Sequence, residues 1–355
     1  MSDKKISTLV VDDSAFMRKA LKRMLRSDPV IRIAGDAKDG LEALEKVKRL
    51  KPDVVTLDVK MPGMDGIQTL KRIMQENPTP VIMISTMTSE GGETTLRALE
   101  LGAVDFIDKS SCHTNMDILD IADSLVQKVK VVAGVDVEKV AEIKTAETTP
   151  APRILPPPPA AVPDKGPSHL IAVGASTGGP VSLEKVLTVL PADYPGAILV
   201  VQHMPIGFTS SLAERMNHQC PMEVKEAQED DTILPGRIYI APGGYHLKLR
   251  LENNEHRVVL TKTPRDTAHC PSVDVMMRSV AENWQGPMMG IIMTGMGSDG
   301  VRGIQDMKQK GATIIAQDEN TCVVFGMPRA AHLTGCVDRM VPLHRIAEEI
   351  YGFNR

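Results

Sequence analysis

The sequence predicts two α/β domains, each built on a mainly parallel sheet, joined by a proline-rich tether. Three observations carry this expectation. A chain of 355 residues is too long for one ordinary hydrophobic core. Short apolar runs alternate with amphipathic ones at both ends of the chain, as βα repeats with right-handed crossovers do. Between about Val132 and Pro167 the composition changes, with Pro150, Pro152, Pro156 to Pro159, Pro163 and Pro167 crowding one stretch. Such a segment cannot build a sheet ladder or an uninterrupted helix, so it is expected to be extended and semi-rigid. The resulting division is residues 5–130, a linker over 131–167, and residues 168–355.

In the first domain, Thr8-Val11, Ile31-Ala34, Val54-Leu57, Val81-Ser85 and Val104-Ile107 read as five strands. Leu41-Leu50 and Ile67-Met74 place apolar residues at helical spacing, and Met116-Val129 reads as a fifth helix entering the linker. In the second domain Leu170-Val173, Ala197-Val201, Met289-Met293 and Thr313-Ala316 are buried-strand candidates. Leu183-Leu190, Ser210-His218, Val273-Trp284 and Val301-Lys310 fill the helical gaps. Arg237-Ile240, His246-Leu251 and Arg257-Lys262 alternate around Pro242-Gly243-Gly244 and Glu252-Asn253-Asn254-Glu255, which predicts antiparallel hairpins. The second domain is therefore expected to be doubly wound, with a small antiparallel addition.

Composition narrows the function. Hydrophobic residues at 42% and charged residues at 24% suit a soluble globular protein. With aromatics at only 3%, the 21 methionines are expected to fill gaps in the cores. A net charge of −4, with no dense Lys/Arg stripe, argues against nucleic acid as a partner. Cys112, Cys220, Cys270, Cys322 and Cys336 are odd in number and form no C-x-x-C pair, which speaks against disulfides and zinc. Met1 to Lys5 lacks the marks of a signal peptide. No apolar run approaches the roughly 20 residues of a membrane helix, so no membrane insertion is expected and the cytoplasm is the expected address.

Acidic residues fall at the strand ends of the first domain, where ligands of such sheets sit. Asp12 and Asp13 close the first strand and Asp58 the third. Ser85 closes the fourth, and Lys109 follows the fifth. Converging carboxylates repel unless a hard cation lies between them, and Mg²⁺ shared with a phosphate meets that need. Asp58 is the candidate nucleophile for a phosphoryl group. Asp12 and Asp13 would hold the metal, with the Lys60 carbonyl as a further ligand, while Lys109 and Ser85 suit phosphate oxygens. Taken singly, each aspartate is better explained as a helix cap or a residue of a solvated turn; the set is not.

The set resembles the receiver domain of two-component response regulators. The resemblance rests on Val-Asp-Asp-Ser, on Leu-Asp-Val-Lys-Met-Pro-Gly-Met-Asp-Gly around Asp58, on Ser85 and on Lys109. It implies a flavodoxin-like five-stranded parallel sheet of order 2-1-3-4-5, Mg²⁺ binding, phosphorylation of Asp58 by a histidine-kinase phosphodonor, and Phe106 as a switching aromatic. The chain departs from the family at Ser110, where a proline usually follows the lysine.

In the second domain, Val173-Gly174-Ala175-Ser176-Thr177-Gly178-Gly179-Pro180 follows a strand and opens a helix. On this turn alone, a nucleophilic serine with nearby oxyanion N–H groups and a phosphate cradle are equally supported, although G-x-G-x-x-G and P-loop spacings are absent. The next strand ends in Val200-Val201-Gln202-His203, which moves the balance toward a nucleophile with its base. Met293-Thr294-Gly295-Met296-Gly297-Ser298-Asp299-Gly300 follows another buried strand, and its Asp299 can fix the tautomer of the histidine. Ser, His and Asp then form a triad by role, in an order unlike α/β-hydrolases and without a G-x-S-x-G elbow.

These motifs, with Ile240-Ala241-Pro242-Gly243-Gly244-Tyr245-His246 and Gly326-Met327-Pro328, resemble the catalytic domain of the bacterial chemotaxis methylesterase family, CheB. The resemblance runs from about His169 to Phe353. It implies hydrolysis of glutamate methyl esters on methyl-accepting chemotaxis receptors, releasing methanol, with deamidation of receptor glutamines in many members. Ser176 would attack, His203 move the proton and Asp299 steady the imidazolium, with backbone N–H groups at Thr177 and Met296 facing the oxyanion and no cofactor in this half. It also implies that the receiver restrains the esterase until Asp58 is phosphorylated. Two other readings are a DNA-binding response regulator, disfavoured by the absence of a basic face, and a catalytically dead interaction module.

Overall fold

In the computed structural model of the chain, the described residues are 5–85, 89–109, 115–138, 140 and 166–354. The chain divides between residues 145 and 146 into two compact units. Most of the expected linker, including Pro150 to Pro163, and the departure at Ser110 lie outside the described residues.

The first unit runs β1 (Ile6–Val11), α1 (Ala15–Leu25), β2 (Ile31–Ala37), α2 (Gly40–Leu50), β3 (Val54–Asp58), α3 (Gly66–Glu76), β4 (Val81–Ser85), α4 (Ser89–Leu101), β5 (Asp105–Asp108) and α5 (Asn115–Val132). Its strands pair in parallel in the expected order, β2-β1-β3-β4-β5. Strands β3 and β4 are buried at every position, as strands covered by helices on both faces must be. Ser14, Asp39 and Asp65 cap α1, α2 and α3 by accepting from Met17, Glu42 and Gln68, which satisfies an N–H left unpaired in each first turn. Strand order reverses between β1 and β3, so the ends carrying Asp12 and Asp58 flank the crevice where such sheets bind ligands. Helix α5 continues to Val132, two residues beyond the expected boundary at 130.

The second unit runs β6 (Leu170–Ala175), α6 (Gly179–Leu187), β7 (Ala197–Gln202), α7 (Phe208–Gln219), β8 (Glu223–Glu226), β9 (Arg237–Ile240), β10 (His246–Glu252), β11 (Glu255–Thr261), α8 (Val273–Asn283), β12 (Met288–Ile292), α9 (Val301–Gln309), β13 (Thr313–Gln317), α10 (Met327–His332), β14 (Arg339–Val341) and α11 (Leu343–Gly352). Seven strands form one parallel sheet, β14-β13-β12-β6-β7-β9-β8. Strand β6 is flanked by β7 on one side and β12 on the other, which brings three strand ends to one crevice.

One expected hairpin is corrected. Arg237-Ile240 does not fold back on His246-Leu251; β9 lies parallel between β7 and β8, so both of its edges are already paired. The turn after it is drawn elsewhere, with Gly244 N–H donating to the Cys270 carbonyl at 3.0 Å. Only β10 and β11 form the antiparallel ribbon. Beneath it lies α8, where Ser279 Oγ takes the Leu249 N–H at 2.6 Å. Leu247, Leu249, Val258, Met276, Met277, Met307, Met327 and Trp284 share one buried cluster, the gap-filling role expected of the methionines.

Candidate active site

The ends of β7, β6 and β12 present His203, Ser176 and the loop to Asp299. Ser176 sits on a turn that needs glycine. Gly178 has φ of 77°, and a Cβ there would come within 2.5 Å of the Val323 side chain. The Ser176 backbone is held on both sides: its N–H donates to the Thr294 carbonyl at 3.0 Å, and its own carbonyl accepts from Gln202 Nε2 at 2.9 Å. Thr294 ties the neighbouring loop to this turn, donating its hydroxyl to the Thr177 carbonyl at 3.0 Å. That hydroxyl also accepts the Val324 N–H at 3.0 Å. The next residue, Gly295, lies against the serine so closely that a Cβ would stand 2.8 Å from Ser176 Cβ. Thr177 is buried, and Met296 follows this contact directly.

His203 Nε2 lies 2.8 Å from Asp299 Oδ2, with the histidine side chain only 6% exposed. Asp299 is anchored further by the start of α8. Val273 N–H donates to Oδ2 at 2.8 Å, and Asp274 N–H and Ser272 Oγ donate to Oδ1 at 3.0 and 2.9 Å. Burial opposes the charged carboxylate, but the His203 contact and the backbone N–H groups outweigh it and hold the carboxyl well below its usual range. A helix N-terminus suits such an anion. With Nε2–H facing the carboxylate, the other ring nitrogen, Nδ1, is buried and has no hydrogen-bond partner.

The structure thus brings His203 and Asp299 into direct contact and sets Ser176 at the adjacent strand end. It gives no hydrogen bond between Ser176 Oγ and His203. Nucleophile–base contacts that close only on substrate binding are common. Ser272 is a site residue the sequence reading missed. Its signal was available: Ser-Val-Asp directly before an apolar helical run is an N-cap pattern. Ser272 in turn is steadied by buried His246, whose Nδ1 accepts the Ser272 N–H at 3.2 Å while its Nε2 meets the Pro264 carbonyl at 3.0 Å.

In the first unit, Asp12, Asp13 and Asp58 bring one carboxylate oxygen each within 4.8 Å of the others. Asp12 and Asp58 are buried, and Asp13 is exposed. Lys109 Nζ lies 2.7 Å from Asp58 Oδ1 and 3.5 Å from Asp12 Oδ2. Burial pushes the Asp58 carboxyl up to about 6 and raises Asp12 as well. Two buried carboxylates with raised proton affinity, with a third at the rim, form an all-oxygen set that fits a hard divalent cation. Ser85 Oγ is buried and accepts from Thr95 Oγ1 at 3.0 Å. Phe106 is buried, with Lys128 Nζ 5.4 Å from its ring centroid. The Lys60 side chain is exposed.

Comparison with known proteins agrees with both halves. The profile of the CheB methylesterase family matches residues 171–350, and that of the response regulator receiver domain matches residues 8–119. A protein-glutamate methylesterase/protein-glutamine glutaminase of Halalkalibacterium halodurans is 47% identical over 98% of this chain and 98% of its own. A protein of the same description from Pyrococcus horikoshii is 44% identical over 98% of this chain and 93% of its own. Among solved structures, the Thermotoga maritima CheB methylesterase catalytic domain is 40% identical, covering 52% of this chain and 98% of that one with a TM-score of 0.51.

Proposed function

The chain belongs to the CheB methylesterase family, with a response regulator receiver domain ahead of the esterase domain, and from that premise we propose that it hydrolyses glutamate methyl esters on methyl-accepting chemoreceptors. The observation that carries the reading is the 2.8 Å contact between His203 Nε2 and Asp299 Oδ2 beside a serine turn. In this mechanism Ser176 Oγ attacks the ester carbonyl as its proton passes to His203 Nδ1, the ring nitrogen left without a partner. Asp299 steadies the imidazolium, and the N–H groups of Thr177 and Met296 face the developing oxyanion. His203 then protonates the departing methoxide, and water, deprotonated by the same ring, cleaves the acyl-enzyme. Receptor glutamine amides present the same carbonyl geometry, so deamidation follows with ammonia as the leaving group.

The receiver supplies regulation. Residues 5–130 act as the phosphorylatable domain, 131–167 as the tether and 168–355 as the esterase. A histidine-kinase phosphodonor of the chemotaxis system transfers its phosphoryl group to Asp58. Asp12, Asp13 and Asp58, with the Lys60 carbonyl, hold Mg²⁺, which when bound neutralises charge around the incoming group. Lys109 and Ser85 take phosphate oxygens, and the shift reaches Phe106. Phosphorylation adds about −1.5 to −2 charge and relieves the receiver's restraint on the esterase. The esterase half works without a cofactor. No helix among the described residues is long and apolar enough to cross a membrane.

Acid-quenched reactions with methyl-esterified receptor test the mechanism by mass spectrometry. A receptor peptide joined through its glutamyl carbonyl to Ser176 is expected. Turnover with the linkage on another residue would overturn the assignment.

A further inference from the structure

A second histidine lies against the proposed general base. The rings of His203 and His269 stack with centroids 4.0 Å apart and planes inclined by only 27°. His269 is half-buried in the loop between β11 and α8, and the backbone that follows it is tied down. The Cys270 carbonyl accepts the Gly244 N–H at 3.0 Å, and the Ser272 N–H donates to His246 Nδ1 at 3.2 Å. One edge of the His203 ring is fixed by Asp299, and one face is covered by His269.

We propose that His269 is a positioning residue for the esterase step, its ring holding the His203 imidazole toward Asp299 and stabilising the positive charge that imidazole gains. The inference rests on the Ser176 esterase reading. The proton balance is unchanged by it: the Ser176 Oγ proton passes to His203 Nδ1 and onward to the leaving group, and His269 forms and breaks no bond. An aromatic face attracts a nearby cation through its π-electron density, so the stack strengthens as His203 becomes imidazolium and acts on the transition state more than on substrate binding.

The test uses the full chain in its phosphodonor-stimulated state and steady-state methanol release, with His269→Ala, His269→Leu and His269→Phe. His269→Ala is expected to lower kcat roughly tenfold with KM changed less than about twofold. His269→Phe restores kcat because it keeps a flat π face, and His269→Leu does not. Wild-type kcat in His269→Ala overturns the proposal, as does rescue by leucine equal to that by phenylalanine. Failure of phenylalanine to rescue overturns it too, since that outcome assigns His269 a proton-moving role.

Ring ¹⁵N NMR of His203 gives a second readout that does not depend on turnover. Wild type and His269→Phe are expected to show one Nε2–H tautomer, and His269→Ala a mixture. An unchanged spectrum in His269→Ala overturns the proposal. Failure of the esterase reading looks different: Ser176→Ala would then release methanol as fast as wild type, and the NMR comparison would still decide the stack.

Discussion

His203 and Asp299 meet at 2.8 Å across the central crevice of the sheet, and the aspartate is seated on the first turn of helix α8. That seat explains how a carboxylate buried beside β12 stays ionised. Its charge is met by the N–H groups of Val273 and Asp274 and by Ser272 Oγ as well as by the imidazole. Positioning of the proposed base is thus delegated to a helix whose other end packs under the β10–β11 ribbon.

Asp299→Asn keeps the shape of this contact but removes the charge and offers His203 a donor where it needs an acceptor. A fall in kcat on the order of 10³- to 10⁴-fold is expected, with little change in KM. Steady-state methanol release measures it, and a loss of less than about tenfold would mean that Asp299 does not set the tautomer.

Ser272→Ala removes both a donor to Asp299 and the N-cap of α8. Urea denaturation is expected to show a loss of about 1 kcal/mol from the cap. A drop in kcat of about tenfold, from a looser carboxylate, should accompany it. A stability loss with unchanged kcat would confine Ser272 to capping.

Gly295→Ala places a methyl group 2.8 Å from Ser176 Cβ. The serine or the loop carrying Met296 must move, and a displacement of this kind is expected to cost on the order of a hundredfold in kcat. Full activity in this variant would show that the loop can shift without disturbing the nucleophile.

The receiver's acidic cluster makes a pH-dependent prediction for the metal-free protein. Burial lifts the Asp58 carboxyl to about 6, against roughly 3.9 in an unfolded chain. Between those values the folded state binds more protons than the unfolded state, so this group's contribution to stability falls as pH rises through the window. Asp58→Asn should therefore gain on wild type by about 2 kcal/mol between pH 4 and pH 7.5, read by urea denaturation in chelator. A gap that does not vary with pH contradicts the placement of this charge.

Asp58→Asn is also expected to retain basal esterase activity while losing stimulation by a small-molecule phosphodonor. Moving a restrained-to-free balance from 99:1 to 1:99 takes about 5.5 kcal/mol, more than one acyl phosphate need supply, so basal turnover should be measurable. Undiminished stimulation of the variant would sink this account of regulation.

Much of this is legible in the sequence because chemistry-bearing residues directly follow buried apolar runs. His203 comes one residue after β7, and Ser176 one after β6. Asp58 closes β3 itself. Edge strands are harder to read: β8 is Glu-Val-Lys-Glu and β14 is Arg-Met-Val, charged as exposed edges tend to be and without an apolar run to find. The alternation in Arg237-Ile240 suggests a hairpin, yet β9 is an interior parallel strand, because pairing partners far along the chain override a local pattern. His269 escapes a motif search for a similar reason, and Ser272, although readable as an N-cap, could not be linked to Asp299 from the sequence. Their contacts are with Asp299 and His203, which only the fold brings near them.

The most direct test of the central claim is methanol release from methyl-esterified receptor by the full chain and by Ser176→Ala. Wild type is expected to turn over, faster with a phosphodonor, and the variant to lose at least about 10³-fold in kcat. Equal rates would contradict the triad.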